Sequence, residues 1–150
     1  MYTRQEASLM RKKFWTSFGQ YMRPLPGADG EDVNWLNYKT GIKHLYFRMD
    51  ADASQASVSI EIRHPDISLQ EQYFRRLQQL KNILDDQAGK EWQWQLHQAD
   101  EHGNIISRIS STSGEINIFN TDDWPAIISF LKPRILALDR FWNEVKDGFS

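Results

Sequence analysis

Two carboxylates and one guanidinium occur on neighbouring stretches of the chain that both alternate apolar and polar residues as β-strands do. Asp50 ends the first stretch, and Glu61 and Arg63 end the second. Glu61 and Arg63 are two residues apart, so in a strand both side chains point to the same face. In one superfamily of nucleases, two carboxylates and a cation on adjacent strands hold a magnesium ion that stabilises charge and supplies hydroxide. A metal-dependent nuclease or phosphodiesterase that uses Asp50 and Glu61 is therefore one hypothesis.

Two features of the sequence favour a simpler interpretation of the same residues. The nuclease pattern has a lysine where this chain has Arg63, and an arginine does not release its proton in practice. The order of the predicted elements also departs from that superfamily, which needs further strands before its next helix. A cross-strand ion pair on a solvated face explains these residues without any chemistry. We favour the ion pair, and we expect the protein not to be an enzyme.

A broader candidate is the whole polar face of the predicted sheet. Three arginines against one glutamate make this face locally basic, although the chain has a formal net charge of -2. Arginines beside a tyrosine and glutamines can hold a phosphate, a carboxylate or an unpaired base. The alternative is a face that is polar only because antiparallel sheets ordinarily leave one side to solvent. The residues of this face are Tyr46, Arg48, Ser59, Glu61, Arg63, Gln93, Gln95, His97 and Arg108.

A segment before the first strand, NWLNYKTG, brings aromatic and amide side chains together at Asn34, Trp35 and Tyr38. Asparagine and glycine suit a tight turn, so the segment is either a turn packed by Trp35 or a recognition loop beside the sheet. We favour the turn and keep the three residues as ligand-binding candidates.

The sequence contains no pattern that predicts a metal or cofactor site. His44, His64, His97 and His102 lack the spacing of metal ligands, and the chain has no cysteine. Glycine-rich phosphate loops and G-x-S-x-G nucleophile motifs are also missing. We therefore expect neither a metal nor a cofactor. The core is expected to contain Trp92, Trp94 and Trp142.

The spacing of apolar residues predicts the elements that position these side chains. Period-two alternation predicts strands at 44–50, 57–63, 92–97 and 105–111, with a short fifth piece at 115–119 as the alternative to a four-stranded sheet. Spacings of three and four predict three helices. The first covers about 3–22, the second runs from the capping box Ser68-Leu69-Gln70-Glu71 to Ala88-Gly89, and the third follows a cap at Thr121 or Asp122 and is kinked at Pro133. The order αββαββ(β)α predicts one α+β domain over residues 1–150, with the helices packed on a mostly antiparallel sheet.

Length and composition restrict the class of protein. A chain of 150 residues is the usual size of one domain. No apolar run reaches the ~18 residues of a membrane span, and the first residues, MYTRQEASLMRKK, do not resemble a secretory signal. The absence of cysteine fits a reducing compartment. We expect a cytoplasmic protein that does not enter a membrane.

Several stretches resemble the bacterial domain-of-unknown-function family numbered 4268. They are FWTSFGQYMRPLPGADGEDVNWLNYKTGIKHLYFRMDAD, EWQWQLH, ISRI, FNTDDWPAIISFLKPRI and ALDRFW, in that order. The resemblance covers nearly the whole chain, and we expect the chain to be the domain standing alone. It implies no established activity, but some relatives look like carboxy-terminal domains fused to predicted nuclease domains. The resemblance therefore implies a nucleic-acid or defence context.

Three hypotheses follow. The first, which we favour, is a small cytoplasmic binding or interaction module for nucleic acid or an anionic small molecule. The second is the metal-dependent nuclease, and the third is a self-associating domain that docks on a protein partner or a second copy. The first uses the sheet face with Tyr46, Arg48, Arg63, Gln95, His97 and Arg108, bordered by Asn34, Trp35 and Tyr38.

Overall fold

Four helices and four strands form the part of the chain that the computed structural model describes, residues 3–149. The α+β class predicted from the sequence is confirmed, but the structure has four helices instead of three. Short 3-10 turns at Trp35–Asn37 and Thr121–Asp123 complete the pattern. The elements are α1 (Arg4–Met22), β1 (Leu45–Ala51), β2 (Gln55–Ile62), α2 (Ile67–Gln79), α3 (Lys81–Ala88), β3 (Gln93–Ala99), β4 (Ile105–Gly114) and α4 (Trp124–Phe149).

The four strands form one sheet in the order β1-β2-β4-β3, with every neighbouring pair antiparallel. The predicted antiparallel sheet is therefore confirmed with four strands. Its apolar face carries Phe47, Val58, Ile60 and Ile109, which are buried in the core. The opposite face carries the polar side chains, as the alternation predicts.

The fifth strand predicted at 115–119 does not form. Glu115 has a φ of 61°, which takes the chain out of the extended conformation at the end of β4. The segment crosses the turn between β1 and β2, where the Ile116 and Ile118 amides donate to the carbonyls of Ser54 and Asp52 at 3.4 and 3.0 Å. Both isoleucine side chains are buried, so the segment closes one end of the core.

The second predicted helix is two helices, and it begins earlier than the predicted capping box. Asp66 is the N-cap of α2, because its carboxylate accepts from the Leu69 amide at 3.1 Å. The chain breaks at Leu80, where ψ is 8° and the amide bonds back to the Leu77 carbonyl, as in a tighter turn. After this break α3 packs on α4, whereas α2 packs on the sheet.

The last helix is one helix, as predicted, and it continues unbroken through Pro133. Its start differs from the prediction, because Asn120 caps the 3-10 turn that leads into α4 and accepts from the Asp122 amide at 3.1 Å. No helix of residues 3–149 combines the length and the apolar composition that crossing a bilayer requires.

Tryptophans contribute to the core largely as the sequence predicts. Trp142 and Trp92 are 1% and 6% exposed, and Trp94 is half-buried with its ring edge-to-face on Phe74 at 5.7 Å. The Trp142 indole also donates to the Thr40 carbonyl at 2.8 Å. This bond links α4 to the segment that precedes β1.

A buried carboxylate on α4 holds the long segment between α1 and β1. Asp139 is 3% exposed and accepts from the Ala28 amide at 2.7 Å, the Tyr38 hydroxyl at 2.5 Å and the Asn143 side-chain amide at 3.0 Å. Burial, followed by the hydrogen bond to Asp139, raises the pKa of Tyr38 above its usual value of 10.0. The Tyr38 hydroxyl is therefore protonated at physiological pH and donates a hydrogen bond to Asp139.

The variant Tyr38→Phe tests the role of this carboxylate. We expect it to lower the free energy of unfolding by about 1–3 kcal/mol, because it leaves a buried carboxylate with one donor fewer. Urea denaturation measures the change. Tyr46→Phe is the matched control, since the Tyr46 hydroxyl makes no hydrogen bond in the described part of the chain. Equal midpoints for the two variants would contradict the role given to Asp139.

Candidate functional site

The strand register aligns the polar residues of the sheet in rows that cross the strands. Residues directly opposite one another on antiparallel strands have neighbouring side chains. The first row is Tyr46, Glu61, Arg108 and Gln95, the second is Arg48, Ser59, Ser110 and Gln93, and the third is Asp50, Ser57 and Thr112.

The parts of these rows on β1, β2 and β4, without Tyr46, form the floor of a cleft of about 260 Å³. We call it the sheet cleft. A bulge between Gln95 and Gln98 bends the β3–β4 hairpin, and the hairpin tip reaches the cleft with Glu101. The lining residues are Arg48, Asp50, Gln55, Ser57, Ser59, Glu61, Arg63, Glu101, Arg108, Ser110 and Thr112.

Glu61 lies at the centre of one end of the sheet cleft and is only 7% exposed. Its carboxylate accepts from Arg63 Nε at 2.8 Å and lies 3.5 Å from Arg108 Nη2 and 3.8 Å from Arg48 Nε. The Ser59 hydroxyl donates to it at 3.4 Å. A buried charge needs such partners, and the short contact shows that Arg63 is the main one.

Arg63 has a second carboxylate partner on the hairpin tip. Its Nη1 donates at 3.0 Å to Asp100, whose side chain has no exposed surface. Burial alone would raise the pKa of Asp100, but the amides of Asn104 and His102, together with Arg63, lower it to about 2. Arg63 therefore links the hairpin tip to Glu61 on the sheet through two short ion pairs.

Arg48 and Arg108 are held much more loosely than Arg63. The Arg48 side chain is 52% exposed and lies over the Tyr46 ring, with 4.8 Å from Cζ to the ring centroid. The Arg108 side chain is 31% exposed, and its buried Nε has no hydrogen-bond partner among the described residues. Both guanidinium groups therefore retain donors that a ligand can use.

The far end of the sheet cleft is acidic. Asp50 lies there, and desolvation together with the nearby charges of Asp52 and Glu101 raises its pKa above the usual 3.8. The sequence predicted a basic face from three arginines and one glutamate. The face is less basic than that, because Asp50 and Glu101 also line the cleft and Asp100 pairs with Arg63. The site has a cationic end and an acidic end.

The proposed nuclease pair is separated along the strands. Glu61 lies opposite Tyr46, whereas Asp50 lies four residues further along β1 and opposite Ser57. Four residues of strand place the two backbones ~13 Å apart. Within residues 3–149, no three histidine, aspartate or glutamate side chains are grouped as metal ligands. This geometry does not favour one ion shared by the two carboxylates, and the nuclease stays a prediction.

Gln95 and His97 lie on the edge strand beside the cleft and do not line it. Gln95 is half-buried opposite Arg108. His97 lies in the bulge with a φ of 52°, and its buried Nε2 has no hydrogen-bond partner among the described residues. Its amide donates to Ser107 Oγ at 3.1 Å. Gln95 therefore neighbours Arg108 outside the cleft, whereas His97 is paired with no residue of the cleft.

The aromatic residues of the NWLNYKTG segment lie inside the fold. Trp35 is 3% exposed and its indole donates to the Leu25 carbonyl at 3.0 Å, while Tyr38 is stacked on Phe47 and bonded to Asp139. Asn34 is exposed and caps the short turn through the Asn37 amide. These contacts favour the packed turn over the recognition loop.

Sequence reasoning missed part of the cleft. Ser110 and Thr112 have the same strand phase as Arg108, so extending the alternation along β4 would have found them. Glu101 gave no such signal, because it lies on the hairpin tip, outside the alternation of β3 and β4.

Replacing Asp50 or Asp52 by asparagine should change the melting temperature in opposite directions. Because the pKa of Asp50 is raised in the fold, its contribution to stability falls as the pH rises from 3.8 through the folded value. Asp50→Asn should therefore raise the melting temperature at neutral pH. Burial would also raise the pKa of Asp52, but hydrogen bonds from Ser54 and Gln55 outweigh it and lower the pKa.

Asp52→Asn is the matched variant, and it should lower the melting temperature at neutral pH. Its stabilising contribution is present above 3.8 and is lost as the pH falls through the folded value. Melting curves of both variants and the unmodified chain over a pH series measure the effect. A lower melting temperature for Asp50→Asn at neutral pH would show that the charge of Asp50 does not destabilise the fold.

Comparison with known proteins identifies a family. No curated protein and no solved structure matches the chain. One family model, described as "Domain of unknown function (DUF4268)", matches residues 10–146, which contain all four strands and every residue of the sheet cleft. The resemblance found in the sequence is thereby confirmed, and the chain belongs to the DUF4268 family.

Proposed function

We propose that this domain is a binding module without catalytic activity, and that the sheet cleft holds an anionic ligand. The observation that carries the proposal is the unequal pairing around Glu61. Arg63 satisfies this carboxylate at 2.8 Å, whereas Arg48 and Arg108 remain at 3.8 and 3.5 Å. Guanidinium groups recognise phosphate and carboxylate through paired charge-assisted hydrogen bonds, and these two have donors to spare.

The size and charge of the sheet cleft favour a small ligand over a long polyanion. Its volume of about 260 Å³ suits a molecule no larger than a single nucleotide. Among its lining residues, three arginines are balanced by three carboxylates, those of Asp50, Glu61 and Glu101. A surface that follows a nucleic-acid backbone neutralises many phosphates in succession, and this cleft has cations for one anionic group.

The state of Glu61 supports binding rather than catalysis. A catalytic carboxylate must be able to exchange a proton or bind a metal, and Glu61 is already bonded to Arg63. We place the module in the cytoplasm, because the sequence has no cysteine and therefore needs no oxidising compartment.

Thermal denaturation with a panel of anions tests the proposal. The panel contains phosphate, sulfate, mononucleotides, anionic metabolites and short oligonucleotides. A ligand at a hundred times its dissociation constant stabilises by about 2.7 kcal/mol. In a domain of this size each kcal/mol raises the midpoint by roughly 2–4 °C, so binding should be readily measured.

Arg48→Ala and Arg108→Ala should each weaken the affinity of an anion found in this way. The loss of a charged hydrogen bond corresponds to roughly ten- to a hundredfold. Arg75→Ala is the matched control, because Arg75 is exposed on α2 and does not line the sheet cleft. Unchanged affinity in both cleft variants would overturn the proposal. An absence of any shift would direct attention to a protein partner or a second copy, which light scattering detects.

A further inference from the structure

The sheet cleft changes its chemistry along the strands, and this change defines a class of ligand. Arg48 and Asp50 lie on the same face of β1, two residues apart, so their backbones are separated by ~7 Å. Arg48 belongs to the cationic end, while Asp50 belongs to the acidic end. A ligand that fills the cleft therefore meets donors at one end and acceptors at the other.

Hydroxyl groups form the floor of the cleft beside Arg48 and beside Asp50. Ser59 lies opposite Ser110, and Ser57 lies opposite Thr112 on the adjacent row. Ser57, Ser110 and Thr112 make no side-chain hydrogen bonds within residues 3–149. A hydroxyl both donates and accepts, so this floor is suited to a ligand that also carries hydroxyl groups.

Asp50 is exposed and has an oxygen that no donor of the described residues occupies, so it is open to a ligand. One of its oxygens accepts from the Ala51 amide at 2.9 Å, and the described residues provide no cation within ion-pair distance. An ionised carboxylate only accepts hydrogen bonds. A ligand hydroxyl would satisfy the second oxygen, whereas a second anionic group would be repelled by Asp50 and Glu101.

We propose that the ligand of the sheet cleft is a phosphorylated sugar, free or as part of a mononucleotide. Its phosphate binds Arg48 and Arg108, and the hydroxyls on the far side of the sugar ring bind Asp50. The distance between a terminal phosphate and the distal hydroxyls of a pentose is comparable to the spacing of these two ends. This inference rests on the proposed function, because it assigns the ligand class of the same cleft.

Calorimetric titration of the full chain with ribose 5-phosphate and with methyl phosphate tests the inference. Both probes carry a phosphate monoester, and only the first carries a polyol. Ribose 5-phosphate should bind at least about tenfold more tightly, because it adds a hydrogen bond to a charged group. Arg48→Ala should weaken both probes, whereas Asp50→Ala should abolish the preference for ribose 5-phosphate.

A control variant and two separate outcomes distinguish failure of the ligand class from failure of the proposed function. Glu71→Ala removes an exposed carboxylate on α2, outside the cleft, and should leave the preference unchanged. Equal affinity for the two probes, or a preference that survives in Asp50→Ala, would overturn the ligand class while anion binding stands. If neither probe binds, and the wider panel of anions also gives no shift, the proposed function itself fails. Asp50→Ala is first checked for an unchanged melting transition, and Asp50→Asn replaces it if the transition is lost.

Discussion

The carboxylate of Glu61, buried in the middle of a β-sheet, is the constraint on which the polar face depends. An ionised group without partners in such a place would be strongly destabilising, so cations must surround it. β1, β2 and β4 each contribute one, either within the strand or immediately after it, as Arg48, Arg63 and Arg108. One arginine is sufficient for the carboxylate at short range. The other two retain donors that Glu61 does not use, and these donors distinguish the candidate site from an ordinary solvated sheet surface.

Asp139 poses the same physical problem and has a different solution. It is as deeply buried as Glu61, but its partners are a backbone amide, a phenol and a side-chain amide, all of them neutral. Neutral donors satisfy the oxygens of a carboxylate without placing spare cationic donors beside it. Asp139 therefore fixes a segment of the fold, whereas Glu61 is surrounded by arginines that line a cleft. The contrast explains why the aromatic NWLNYKTG segment is packed inside while the arginines face a cleft.

The sequence predicts those features that depend on local periodicity. Alternation identifies the faces of β1, β2 and β4, and with them Arg48, Glu61 and Arg108. It does not predict features decided by distant contacts. The break at Leu80 is invisible because the leucines keep one apolar phase on both sides, although α2 and α3 pack on different elements. The bulge in β3 is similarly hidden, since a single extra residue leaves the composition of the strand unchanged while it redirects the hairpin tip.

The bonds that fix the segment before β1 join residues far apart along the chain. Tyr38 and Asp139 are separated by 101 positions, and Thr40 and Trp142 by 102. During synthesis on the ribosome, the first third of the chain is therefore made long before α4, the helix that covers it. Tyr38 and Phe47 remain without their partners on α4, Asp139 and Trp142, throughout that interval. Exposed aromatic surface in this period favours aggregation or capture by a chaperone. Completion of the fold must wait for the last helix to leave the exit tunnel.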